Sequence, residues 1–473
     1  MPLNLLFYHF APSIRAKNIV MLCFSLVFYA WAGPSYVLLL VGMTFADWLF
    51  CCQMDRSRST YLVRKLCLLG ALAVDLGLLC FFKYLTFLLS GTNLLFGWPA
   101  DVPQIVLPIG ISFYTFQLIS YVVDVYRREV PAQTNFFKLL LYVSLFHQCI
   151  AGPIVRYQDV AEEIDWRHAT RQDIADGAGR FTVGLAKKAL LANRCGALAD
   201  VFLCSTSVAP AEALTQLSGR STLSLWLGVL AYTLQIYLDF SAYSDMAIGM
   251  GRMIGFHYHE NFNYPYISRS ITEFWRRWHM SLSYFFRDYV YIPLGGNRCS
   301  QLLQLRNLAV VWLLTGLWHG ANWNFVLWGL YYLAFLLLEK FVMKPLGRHI
   351  PGPIRWVYAI FVVSVGWLIF RMTDMSCLNN AFLGLFGAGG RALTNLETNV
   401  QLKSNFVFLL VAMLACTPLS RDLYRRADKA IDSMPVLQKA WTVLQCAGPV
   451  LLLILSTAAL VGDQYNPFLY YRF

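Results

Sequence analysis

Residues 306–344 read RNLAVVWLLTGLWHGANWNFVLWGLYYLAFLLLEKFVMK. Two apolar runs, residues 308–317 and 323–338, flank the turn Gly316-Leu317-Trp318-His319-Gly320-Ala321-Asn322. Basic residues stand outside both runs, Arg298 and Arg306 before them and Lys340 and Lys344 after. Lys and Arg collect on the cytoplasmic side of a membrane, so both ends of the stretch prefer the same side. The first run, residues 308–317, would rise only about 15 Å as a helix, half of the ~30 Å hydrocarbon layer. The segment is therefore expected to enter the membrane and turn back, with His319 near the midplane and the glycines letting the backbone bend. Irregular backbone at that depth is tolerated only where protein or a water-filled cavity satisfies it.

The rest of the chain reads the same way. Of 473 residues, 58% are apolar and 14% carry charge, and the mean hydropathy is +0.52. A soluble domain carries about 25% charged residues, and disorder needs low hydrophobicity, so both classes are excluded. Long continuous apolar runs exclude a membrane β-barrel, whose strands would alternate. The expectation is an all-α, polytopic integral membrane protein in one domain, residues 1–473, with about 11 membrane helices plus re-entrant segments. Candidate spans are residues 19–31, 36–50, 66–89, 105–125, 139–155, 223–246, 323–338, 356–370, 405–416 and 447–461. The first ten residues contain no basic segment of the signal-peptide kind.

Charge gives the orientation. The excess of 38 basic over 26 acidic residues, +12, is read as cytoplasmic loop charge and not as a nucleic-acid surface. Arg56, Arg58, Arg64 and Lys65 mark one cytoplasmic loop, residues 90–104 carry no Lys or Arg and should lie outside, and Arg127, Arg128 and Lys138 return inside. Arg421, Arg425, Arg426 and Lys429 are again cytoplasmic, which places residues 463–473 outside. The basic stretch 156–194 conflicts with a simple span at 139–155, so the Ala151-Gly152-Pro153 break is expected to belong to a helix that dips in and turns back. The twelve cysteines show no Cys-x-x-Cys spacing and are read as apolar residues. No metal site is expected: His257, His259 and Glu260 lack a further ligand cluster.

An ionisable side chain at membrane depth is a functional candidate by default. A neutral imidazole at His319 can accept a proton as a general base, with Trp318, Asn322 and Trp323 around it. A second histidine, His279, follows Ile271-Thr272-Glu273-Phe274-Trp275-Arg276-Arg277-Trp278. Phe274, Trp278, Leu282 and Phe285 recur at helical spacing, which predicts an interfacial helix with Glu273, Arg276, Arg277 and Asp288 on its polar side. Arg276 and Arg277 either anchor lipid headgroups or draw the phosphates of a cytosolic donor, because arginine pairs phosphate with a rigid fork. Asp239 with Tyr243, and Ser241 with Asp245, are spaced to satisfy one another along a helix. His147, beside the Gly-Pro break, is read as a packing residue.

Several motifs resemble one family. They are LPIGISFYTFQ at 107–117, AGPIVRY at 151–157, DFSAYSD at 239–245, FWRRWHMSL at 274–282 continuing to RDYVYIPLGGN at 287–297, LWHGANW at 317–323, and the closing NPF at 466–468. Together they resemble the membrane-bound O-acyltransferases, nearest the bacterial alginate O-acetyltransferase branch. The resemblance implies a helical core with re-entrant helices around a transmembrane tunnel, His319 as the essential histidine and His279 as its supporting partner. The residues expected to contact the donor are Arg276, Arg277, Trp278 and Asn322. The resemblance also implies acetyl-CoA or another acyl thioester as co-substrate, with no tightly bound cofactor. The expected partners are the lipid bilayer, an extracytoplasmic acetyl-relay or SGNH-type esterase-like protein, and an exported polysaccharide as final acceptor, with no nucleic acid. The location implied is the bacterial cytoplasmic membrane. D-alanyl transfer of the teichoic-acid type and transport of a glycan or acyl carrier stay open as alternatives, the latter because broken helices with midplane polar groups also suit a transporter.

Overall fold

The computed structural model describes all residues except 57–58, 97–104, 150–151, 344–349, 432–433, 463–467 and 469–473, together with the side chains of residues 32, 92–96, 435 and 436. Arg58, Ala151, Lys344, the outer part of the uncharged loop at 90–104 and nearly all of 463–473 thus lie outside the described residues. Every regular element among the described residues is helical. Eight of these helices are long and apolar enough to cross a membrane, so the chain is a multi-pass helical membrane protein. The chain divides into two compact units.

The first unit comprises Met1–Phe181, Met246–Glu260 and Ser281–Arg298. It contains α1 (Pro2–Phe10), α2 (Ile14–Ala32), α3 (Pro34–Met54), α4 (Tyr61–Phe96), α5 (Ile111–Arg127), α6 (Phe136–Ser144) and α7 (Tyr157–Asp165). The Ser13 side chain starts α2 by accepting from the Ala16 amide at 3.2 Å, and Pro34 opens α3, where a missing amide costs nothing. The 36 residues of α4 rise about 54 Å, well beyond one hydrocarbon layer. Its centre is α5, of whose 17 residues 14 are buried; a helix buried all round belongs in a core. Gly110 begins it at φ +73°, and a Cβ there would stand 2.5 Å from the Cys149 carbonyl oxygen, so only glycine fits.

The predicted span at 139–155 takes a different form. Among the described residues only α6, nine residues and about 13.5 Å long, is helical there. Turns follow at 146–149, and residues 153–156 take no regular structure. Tyr142 donates to the Val155 carbonyl at 2.8 Å and the Gln148 side chain to the Tyr142 carbonyl at 2.8 Å, so protein groups satisfy the irregular backbone. His147 is buried and meets the Tyr258 hydroxyl at 3.2 Å, a packing role.

The second unit comprises Thr182–Asp245, Asn261–Met280 and Cys299–Phe473. Its helices include most of α8 (Thr222–Met253), then α9 (Ile271–Arg277), α10 (Gln301–His319), α11 (Trp323–Leu338) and α12 (Gly352–Arg371). The most hydropathic part of α8 is 83% buried, which makes it the core helix here. The apolar run 308–317 does not stand alone: residues 301–307 are helical too, so α10 has 19 residues and rises about 28 Å, not 15. It ends at His319, and the chain reverses through Gly320–Asn322 into α11. The two helices meet at glycines. A Cβ on Gly316 would lie 2.4 Å from the Phe325 carbonyl oxygen, and one on Gly329 2.5 Å from that of Trp312. Small residues at such a seam let backbones approach closely.

Candidate active site

The predicted continuous interfacial helix around His279 is two short helices. α9 ends at Arg277, a second helix runs Met280–Phe286, and His279 lies in the break with φ +44°. A residue with a Cβ in that region carries roughly 1–2 kcal/mol of strain, which surrounding contacts must hold in place. They come from residues 261–263. The Met280 amide donates to the Asn261 carbonyl and the Asn263 amide to the Arg277 carbonyl, both at 2.9 Å. The start of α9 is fixed by Ser270, which accepts from the Glu273 amide at 2.9 Å. The buried Glu339 carboxylate adds to this, accepting from the Ile271 amide, the Thr272 amide at 2.9 Å and the Thr272 hydroxyl at 2.7 Å.

His279 is 1% exposed and Asn261 is fully buried. The Asn261 carboxamide oxygen stands 3.2 Å from His279 Nδ1. An oxygen acceptor there puts the proton on Nδ1 and leaves Nε2 as the basic nitrogen. Burial pushes the ring's pKa down to about 3, so it is neutral at ordinary pH.

His319 closes α10 and is 6% exposed. Aromatic rings surround it: Trp318 at 5.0 Å, Trp328 at 5.0 Å and Phe370 at 5.1 Å between centroids. The extended Gly320 permits the exit, since a Cβ there would meet the Phe325 ring at 2.2 Å. Trp318 joins the two histidines, its ring 5.8 Å from His279 as well as 5.0 Å from His319. Phe240 closes the other edge of His279 at 4.8 Å.

The other sequence-derived residues divide. Arg276 is exposed. Arg277 is held by Glu273 at 3.0 Å and the Asn263 carbonyl at 3.2 Å. Trp278 is buried in an aromatic core, 5.6 Å from Phe274 and 4.7 Å from Trp367. Asn322 caps α11, its carbonyl accepting from the Phe325 amide at 3.2 Å. Asp239 and Asp245, expected to be satisfied along their own helix, meet Lys188 and Lys187, each at 2.6 Å. Asn261, Glu339 and the two lysines escape sequence reasoning because their partners lie 18 or more residues away, outside any helical period. The Lys187-Lys188 pair directly after an apolar run was the one local signal.

The neutral imidazole of His279 and the buried imidazole of His319, both in an aromatic setting, are groups that can accept and return protons, and exclusion of water protects a hydrolysable acyl group. Comparison with known proteins agrees with the motif reading. The model of the MBOAT, membrane-bound O-acyltransferase family, matches residues 127–381. The chain is 37% identical to a probable alginate O-acetylase AlgI of Azotobacter vinelandii, over 100% of this chain and 98% of that protein. It is 33% identical to a peptidoglycan O-acetyltransferase of Helicobacter pylori, over 79% and 74% of the two chains. It is 27% identical to a teichoic acid D-alanyltransferase of Bacillus subtilis, over 50% and 60%.

Proposed function

Since this chain belongs to the membrane-bound O-acyltransferase family, we propose that it takes an acetyl group from cytosolic acetyl-CoA and passes it across the bacterial cytoplasmic membrane for O-acetylation of an exported polysaccharide. The observation that carries the chemistry is the pair of buried histidines sharing Trp318. In the proposed step His319 takes the proton of an acceptor hydroxyl as its oxygen attacks the thioester carbonyl. The carbon–sulfur bond then breaks, and the protonated imidazole returns the proton to the departing thiolate. His279, oriented by Asn261, positions the reacting groups and shares the proton. Arg276, exposed at the end of α9, and Arg277 suit the phosphates of the donor. The final acceptor is reached through an extracytoplasmic partner of the acetyl-relay or esterase-like kind. The similarity to alginate and peptidoglycan O-acetyltransferases supports the acetyl group and a polysaccharide acceptor.

The test uses purified protein in proteoliposomes with acetyl-labelled CoA on one side and an exported glycan with its partner protein on the other. Label is expected on the glycan, and free CoA on the donor side. Transfer from a D-alanyl carrier protein but not from acetyl-CoA would replace the acetyl reading. Passage of intact donor without group transfer would overturn acyl transfer.

A further inference from the structure

The helices of the first unit bury two acids that the acyl-transfer chemistry does not use. Asp47 on α3 and Asp75 on α4 are both fully buried inside membrane-spanning helices. Their carboxyl groups face one another within hydrogen-bonding reach. Yet none of the four oxygens accepts from any N–H or O–H donor of the protein among the described residues. No lysine or arginine nitrogen hydrogen-bonds either acid among them.

The surroundings offer no substitute for a positive charge. Cys51, one turn along α3, lies close to both acids, with Tyr121 of α5 against its sulfur. Tyr114 of α5 lies close to Asp75, is 1% exposed, and its hydroxyl has no hydrogen-bond partner among the described residues. Cys149 lies beside Tyr114, with Tyr29 of α2 against it. These titratable groups are neutral when protonated, so they cannot balance two carboxylates. The nearest cation along α4, Lys83, is two turns away and bonds Ser112 at 3.2 Å.

Two ionised carboxylates cannot stay in contact in a dry interior: each loses its hydration and each repels the other. Two oxygens that face one another, with no hydrogen supplied by a neighbour, need a hydrogen of their own. We propose that Asp47 and Asp75 form an intramembrane proton-binding site, in which a proton from solvent makes an O–H bond on one carboxyl and is accepted by an oxygen of the other. The pair's charge goes from minus two to minus one with the first proton, and a second proton makes it neutral. The Tyr114 hydroxyl is the remaining donor on hand for a free oxygen. Carboxylic acids that share protons across a contact are a known arrangement when like charges are forced together. The site is separate from the histidine chemistry, so its test stands whether or not the acetyl donor is correctly assigned.

Infrared spectroscopy of the full-length protein in lipid, labelled with carboxyl-13C aspartate, reads the proton directly. At pH 8, where exposed aspartates are ionised, a protonated-carboxyl band is expected that is lost in Asp47→Asn/Asp75→Asn and reduced in each single variant. On the wild type alone, dicyclohexylcarbodiimide, which adds to protonated carboxyls in apolar surroundings, is expected to label Asp47 or Asp75 by peptide mass spectrometry. This keeps the proposal testable if a variant fails to fold. Absence of the band in wild-type protein would overturn the proposal. So would a band unchanged in the folded variants, or adducts on other aspartates and on neither of these. Loss of the band on adding sodium but not choline would overturn it in favour of a metal-cation site.

Discussion

Gly316→Ala tests the link between the α10–α11 seam and the reaction centre. The added Cβ would stand 2.4 Å from the Phe325 carbonyl oxygen, whereas a carbon in comfortable contact with such an oxygen lies at about 3.3 Å. The helices must therefore separate by about 0.9 Å, and the obstacle is backbone, which cannot rotate away. Overpacking of this kind costs about 1–3 kcal/mol, and the better helix propensity of alanine offsets about 1 kcal/mol. A net loss of up to about 2 kcal/mol is expected. The larger effect falls on activity. His319 is three residues further along the same helix, and a misplacement near 1 Å costs on the order of 100-fold in rate. Gly77→Ala on α4 is the control, because nothing lies within 4 Å of its added Cβ. Melting of both variants in detergent, followed by acetyl-transfer rates, checks the reasoning. If Gly316→Ala melts and turns over like Gly77→Ala, the seam does not set the position of His319.

Glu339→Gln keeps the shape of the α9 cap but gives an amide nitrogen to a site that accepts three hydrogen bonds. A loss of about 2–4 kcal/mol is expected, since hydrogen bonds to a charged group contribute more than neutral ones and a stranded donor adds its own cost; thermal or denaturant unfolding reads it. The pH dependence of stability follows from His279. Its folded pKa, pushed down by burial to about 3, lies below the ordinary 6.5, so only the unfolded ring takes up a proton between those values. Stability from this ring is complete above pH 6.5 and is lost as pH falls through that value toward 3. Melting temperature is expected to drop less steeply between pH 7 and 5 in His279→Asn than in wild type, with the buried His147 keeping part of the slope. An identical slope in the two proteins would contradict the burial of a neutral ring at 279.

Hydropathy alone found the membrane helices, because a span must be apolar along its length and the sequence cannot conceal that. Of the ten candidate spans, residues 105–125 and 139–155 differ for a physical reason. Both are buried by protein, so polar residues such as Ser112, Gln117 and Asp124 are tolerated inside α5, and the chain after α6 can leave the helix. The length of α10 was hidden by Gln301, Gln304, Arg306 and Asn307, which are polar but helical. His319 and His279 stood out because an ionisable residue in an apolar setting is conspicuous. The break at His279 did not, because the apolar periodicity through Trp278 and Leu282 continues across it. Its cause lies in distant backbone at Asn261 and Asn263. Asp47 and Asp75 lie on different helices, and only the fold brings them together.

In the proposed reaction the histidine at the end of α10 performs acyl transfer. The direct measurement is the initial rate of labelled acetyl transfer from acetyl-CoA by reconstituted wild-type protein and by His319→Ala of equal melting temperature. A fall of about 100-fold or more is expected, the range in which positioned proton transfer contributes, with donor binding retained. Undiminished transfer by folded His319→Ala would contradict it.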